Sequence, residues 1–194
     1  MLFKIDEVAD WASAQVKVAG AIEMSASVEC VLGKSTENVK AVMPDLKHDK
    51  TILFATAGLW SMHDLLFFYL DKIGSADVYA ATWSMTEEPA TMIVRGLSSG
   101  LIRSLHLLFD ARIRLRNPKV FAFVKHNNVV CRLSSCHAKV CVIENEEWQI
   151  TIVGSSNFTN NPRIESGVVM TDPKAAEFSK NWILAELDKA HPFK

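Results

Sequence analysis

Two short segments carry side chains suited to handling a phosphate: His137-Ala138-Lys139 and Gly154-Ser155-Ser156-Asn157. Imidazole can act as nucleophile or proton carrier near neutral pH. An ammonium balances anionic charge, and hydroxyl and amide groups donate to non-bridging oxygens. Residues His137–Ile143 and Trp148–Val153 read as two strands joined by the polar turn Glu144–Glu147, which predicts a hairpin. Strand alternation places His137 and Lys139 on one face. Pairing sets the start of the first strand beside the end of the second. His137, Lys139, Ser155 and Asn157 then converge at one sheet end, where Gly154 permits a close backbone approach and Ser156 adds a further substrate contact. Taken by themselves, His137 and Lys139 also fit a strand end that simply protrudes into water.

The elements around these segments follow a strand–helix rhythm. Thr51–Ala57 is a short apolar run closed by Gly58, as a buried strand would be. Ser61–Ile73 reads as a helix capped by a hydroxyl and stopped at Gly74. Asp77–Trp83 is a second strand, and a helix starts at Thr86 and runs to about Leu97. Leu101–Phe109 and Val120–Val124 look like further strands, with an Arg-rich stretch between them. Ser166–Met170 is another strand, and Lys174–Ala190 a closing helix after Asp172-Pro173. This pattern predicts an α/β fold with a mixed, largely parallel sheet flanked by helices on both faces. A single domain over 1–194 is expected. Residues 1–50 are the least readable: a helical periodicity over Asp6–Val18, an alternating stretch over Gly20–Leu32 and a polar connector over Lys34–Lys50.

The order His137-x-Lys139, an acid at Glu144, then Gly154-Ser155-x-Asn157 resembles the signature of the phospholipase D superfamily. Within it, the likeness is to the small single-motif members of the bacterial endonuclease type. The resemblance implies a phospholipase D-like fold and a phosphodiesterase that needs neither metal nor cofactor. It implies two motifs across a twofold axis, so a chain with one motif would be a homodimer. One His137 would become phosphohistidine, and the other would protonate the leaving group, while Lys139 and Asn157 of both subunits hold the phosphate. Glu144 departs from the family, which usually has Asp there. By alternation it points away from His137 and Lys139, as a structural anchor for the turn. Glu165 matches a position where many members carry a second acid. Bonded to a ring nitrogen it would fix the tautomer of His137; the alternative is an ordinary surface glutamate. Arg163 reads as either a phosphate contact or a surface ion-pair partner, the second favoured.

A net charge of −1 argues against a polyanion binder only on average. Between Arg95 and Lys139 lie nine of the 21 Lys/Arg and one of the 22 acids, Asp110. Such a segment attracts polyanions, though a solvated basic face has the same composition. Arg114, Arg116, Lys125 and Arg132 are candidate substrate contacts. With Arg103, Arg112 and Lys119 they are expected to form a groove on the His137 side. The expected partner is nucleic acid, DNA ahead of RNA. A lipid-headgroup phosphodiesterase and an inactive dimeric nucleic-acid-binding module are the competing readings. Trp60 and Trp83, at predicted strand ends, are candidates to stack bases. His48, His63, His106, His126 and His191 have no spacing partner and read as structural or surface residues. The four cysteines, Cys30, Cys131, Cys136 and Cys141, show no zinc-like spacing and read as free thiols of a reducing compartment. The N-terminus lacks the apolar core of a signal peptide, and the longest apolar run, Leu65–Leu70, is too short for a bilayer. A cytoplasmic location and no membrane insertion are therefore expected.

Overall fold

The computed structural model describes residues 27–32, 39–127 and 129–189. The expected helix over Asp6–Val18, the first part of the Gly20–Leu32 stretch and His191 lie outside the described residues. In chain order the elements are β1 (Ser27–Leu32), α1 (Val39–Val42), β2 (Lys50–Ala55), α2 (Met62–Ile73), β3 (Ala76–Thr82), α3 (Glu87–Ser98) and β4 (Ile102–Asp110). Then come α4 (Ile113–Arg116), α5 (Pro118–His126), β5 (Val130–Ser134), β6 (Val140–Glu144), β7 (Gln149–Gly154), β8 (Ser166–Met170) and α6 (Pro173–Asp188).

Among the described residues, eight strands join one sheet in the order β1-β2-β8-β7-β6-β3-β4-β5. The pairs β1–β2, β3–β4 and β4–β5 are parallel, and the pairs involving β6 or β8 are antiparallel. Six strands therefore run one way, and β6 and β8 alone are reversed. Two parallel halves, β1–β2 and β3–β4–β5, are bridged by the meander β6–β7–β8. The carboxyl ends of the six like-directed strands share one edge of the sheet with the starts of β6 and β8.

Helices cover both faces. On one side, α2, α3 and α5 close a large core that takes in Leu65, Leu66, Ile93 and Val124 together with Cys141 and Ile143 of β6. On the other, Ala176, Ile183 and Leu187 of α6 pack on Val140, Val142, Ala81 and Leu108. Alternation along β6 thus feeds both cores, which is why its sequence is apolar throughout.

Helix ends follow local chemistry. The Ser61 backbone N–H donates to Asp64 Oδ2 at 2.8 Å, setting the start of α2. Asp172 Oδ1 accepts from the backbone N–H groups of Lys174 (2.7 Å) and Ala175 (3.2 Å), and Pro173 opens α6.

Besides the short helices α1 and α4, three features differ from the expected elements. Residues Val120–Val124 are part of helix α5, not a strand. Pro118 sits in its first turn, and Val120 and Val124 are buried together, four residues apart on one face. Strand β5, with exposed Val130 and Arg132 flanking buried Cys131, is absent from the sequence reading. Finally, the β6 ladder begins at Val140, so His137 and Lys139 precede the strand and alternation does not fix where they point. One hydrogen bond, from Gly154 N–H to Lys139 O at 3.2 Å, still ties this segment to the end of β7.

Candidate active site

The loops that leave the carboxyl ends of β3, β4 and β7 meet the segments that lead into β6 and β8. In open α/β sheets this edge is where ligands bind. His137 lies here, exposed, and Lys139 is half-buried beside it. Lys139 Nζ donates to His137 O at 2.9 Å, which leaves two of its three protons for another acceptor. Burial, the largest influence, pulls the Lys139 ammonium below its ordinary value, against the opposing pull of Cys136, Glu165 and Asp110.

Asn157 is placed from several directions. Its neighbour Phe158 is buried at 1% exposure, and its backbone bridges to Met85 and accepts from Thr86 N–H at 3.0 Å. Thr82, at the end of β3, shares its hydroxyl proton between Ser84 O (2.9 Å) and Asn157 Oδ1 (3.2 Å). That contact orients the amide so that its N–H₂ group is left for a further acceptor.

Gly154 pairs with Gly167 across β7 and β8. A Cβ on Gly154 would lie 3.0 Å from Ser166 O, and one on Gly167 would lie 2.5 Å from Val153 O. Close backbone approach, not a turn conformation, is what requires glycine here. Ser155 follows, and its hydroxyl donates to Glu165 Oε2 while accepting from Ser166 N–H at 3.0 Å. The other Glu165 oxygen accepts from Asn161 Nδ2 at 2.8 Å. The Glu165 carboxylate is thus engaged with Ser155 and Asn161, and the Ser155 proton is directed at Glu165. Neither makes a hydrogen bond to the His137 ring among the described residues. Ser156 is buried, at 3% exposure, beneath the loop.

Glu144 stands at the opposite end of β6. Its carboxylate accepts from Lys180 Nζ at 2.8 and 3.0 Å, which ties α6 to the sheet. Arg103 lies at that far end too, paired with Asp77 at 2.9 Å and with Glu146, and not on the His137 side where the groove was expected. A cavity of about 540 Å³ at this end is lined by these ion pairs and holds none of the His137 cluster.

Basic residues at the His137 edge come from the chain after β4. Arg112, Arg114, Arg116 and Lys119 are exposed in or beside α4 and the first turn of α5, and Arg112 and Arg116 reach the Trp83 ring next to His137. Lys125 is exposed in the last turn of α5, and Arg132 on edge strand β5. Arg112 grips the carboxylate of Asp110 through Nε (2.6 Å) and Nη2 (3.0 Å). That grip lowers the Asp110 carboxyl from its ordinary value, although burial opposes it. The Arg116 guanidinium lies 3.8 Å from the centre of the Trp83 ring, and Trp83 meets the His137 ring at 5.7 Å and 69°. Sequence alone assigns no role to Asp110 or Thr82, and marks Trp83 only as a candidate for base stacking. The available signal was position: each ends or follows a strand that stops at this edge.

Cys131, Cys136 and Cys141 are buried free thiols. Burial pushes all three up, Cys141 to about 12. No cluster of three or more metal-ligating side chains occurs among the described residues, and no described helix is long and apolar enough to cross a membrane.

The mixed sheet flanked by helices on both faces is an α/β fold of phospholipase D-like type by its likeness to a solved structure. Among solved structures, the chain is similar to NucT from Helicobacter pylori, with a TM-score of 0.52 and 15% identity over 71% of this chain and 96% of that one. A second similar structure is that of TrmBL2, an archaeal chromatin protein, at TM-score 0.49 and 12% identity, covering 72% of this chain and 53% of that one. At 15% identity, the likeness to NucT speaks for the fold alone. The chain matches no protein-family model and no curated protein sequence.

Proposed function

We propose that this chain is a metal-independent phosphodiesterase, a nuclease, acting through a phosphohistidine at a homodimer interface. The observation that carries the reading is that His137, Lys139 and Asn157 all lie on segments at one carboxyl edge of the sheet, Lys139 bonded to His137 O and Gly154 N–H, and Asn157 bonded to Thr82 at the end of β3. Lys139 contributes charge and two spare protons, and Asn157 a neutral N–H₂ donor, which together suit the non-bridging oxygens of a phosphodiester. His137 is exposed at the same edge, as a nucleophile must be.

One imidazole cannot be phosphorylated and protonate the leaving group in the same step. A second copy of the chain supplies the second histidine, through an interface in which each copy presents the same edge. A neutral His137 nitrogen attacks phosphorus and the bond to the leaving oxygen breaks. The partner's His137, as imidazolium, gives that oxygen its proton. The now neutral partner imidazole then takes a proton from water, whose oxygen attacks phosphorus and breaks the P–N bond. Arg114, Arg116 and Lys119 at the same edge would track a phosphate backbone, with Lys125 and Arg132 further along.

The test is a plasmid and oligonucleotide cleavage assay with purified protein in EDTA. Cleavage is expected to persist in chelator and to vanish in His137→Ala. Asn157→Ala should lose about 10²–10³-fold, the usual effect of removing one preorganised donor. Normal cleavage by His137→Ala, or a monomer at the working concentration of an active sample, would refute the proposal.

A further inference from the structure

His137 sits outside the β6 ladder on an exposed segment, and Glu165, the carboxylate that would have oriented it, is engaged by Ser155 and Asn161. An imidazole in that position needs some other constraint, because misplacing a reacting group by about 1 Å costs on the order of 10²-fold in rate. A different set of contacts reaches it.

Asp110 ends β4 and is 2% exposed. It accepts from the Arg112 backbone N–H at 3.0 Å as well as from the guanidinium, and the backbone N–H of Cys136, the residue before His137, also bears on it. Next to it, Ala111 N–H donates to Ser134 O at 2.9 Å, which fixes the chain that leads to Cys136. Arg112, so held, lies 5.5 Å from the centre of the Trp83 ring, and Arg116 lies 3.8 Å from it. Trp83 in turn meets the His137 ring in an edge-to-face arrangement. The circuit closes on itself: one buried carboxylate governs the backbone beside His137 and, through Arg112 and Trp83, its ring.

The indole N–H of Trp83 is buried with no hydrogen-bond partner among the described residues. No hydrogen bond among the described residues therefore fixes the ring by its polar tip, while two guanidinium groups and the imidazole meet the ring itself. Guanidinium over indole is a favourable pairing, and edge-to-face contact restricts the tilt of both rings.

We propose that Trp83, clamped by Arg112 and Arg116, is the positioning residue for the His137 imidazole. It does the work expected of a carboxylate on the ring nitrogen, by shape and ring electrostatics. The inference rests on reading His137 as the nucleophile. Trp83 touches the imidazole and is not itself assigned a chemical step.

The experiment compares Trp83→Leu, which keeps bulk without a ring, with Trp83→Phe, which restores one, in the full chain. Two readouts are taken: kcat and KM on bis(p-nitrophenyl) phosphate, and the ring C–H signals of His137 in histidine-labelled protein, assigned by their loss in His137→Gln. Trp83→Leu is expected to lower kcat by about 10²-fold with little change in KM, and Trp83→Phe to recover most of it. The His137 ring signals should carry a ring-current shift in the native chain that disappears in Trp83→Leu. An unchanged kcat in Trp83→Leu, no rescue by Trp83→Phe, or unmoved His137 signals would overturn the proposal. Full activity in His137→Gln would instead overturn the nucleophile reading, and the His137 signals would still decide whether Trp83 holds the ring.

Discussion

Nucleic acid approaching the His137 edge would first meet Arg114, Arg116, Lys119 and Lys139. Arg112 is discounted because Asp110 already holds its guanidinium through two bonds. Arg116 is counted, since stacking on Trp83 leaves its charge in place. Four phosphate contacts per subunit, at about −0.9 each on duplex DNA, give a log–log salt slope near −3.6. Raising salt from roughly 50 to 200 mM would then weaken binding by about two decades for one subunit and about four for two acting together. The assay is fluorescence anisotropy of a labelled oligonucleotide titrated with His137→Ala protein, which binds without cleaving, over a series of salt concentrations. Arg114→Ala should flatten the slope by about 0.9 per subunit. Arg103→Ala is the control: its guanidinium is paired with Asp77 and Glu146 at the far end of the sheet, so the slope should not move. A slope near zero, or equal flattening by the two variants, would refute the placement of the binding face.

Gly167→Ala would set a Cβ 2.5 Å from Val153 O and 2.7 Å from the Phe54 ring, so the urea midpoint should fall by an amount equivalent to about 1–3 kcal/mol, the usual cost of overpacking; a midpoint equal to wild type would contradict the close approach. His63 is 3% exposed, and burial holds its pKa below the ordinary histidine value, outweighing the pull of Asp64 and Glu88. Its unfolded form therefore takes up a proton first: stability should be flat above about pH 6.5 and decline below it by up to about 1.4 kcal/mol per unit, a decline that urea titrations should find reduced in His63→Gln. Glu144→Gln weakens the tie to Lys180 far from His137, so a small loss of thermal stability with unchanged turnover is expected; a large loss of turnover would place Glu144 in the chemistry.

Much of the scaffold was legible because its signals are local. Apolar runs marked β2, β3, β4 and β8, and Ser61, Gly74 and Asp172-Pro173 marked helix ends. Val-Phe-Ala-Phe-Val misled because a five-residue apolar run satisfies either period, and the burial partners of Val120 and Val124, which decide it, are distant in sequence. The two motif segments were legible as a pair, since a hairpin joins them. What surrounds His137 was not, because Thr82, Trp83 and Asp110 come from strands far away in sequence and reach the edge only through sheet order. Arg103 shows the same limit. It belongs to the basic segment by composition, yet it sits at the start of β4, and strand direction sends it to the opposite edge from Asp110, seven residues later.

The meander has a consequence for how the molecule comes into being. β2 and β3 are joined by a single helix, yet three strands made much later, β8, β7 and β6, stand between them. A chain synthesised as far as Ser134 has two strips of sheet, β1–β2 and β3–β4–β5, with no ladder in common. Only the strands between Val140 and Met170 join the strips, and the segments that bring His137, Lys139 and Asn157 to the edge belong to the same late stretch. Pairings this distant in sequence form late, after the loops that separate them have closed. A nascent or truncated chain would therefore fail as a whole sheet before it could fail as a site, and the cluster at the edge would come into existence only with the last join.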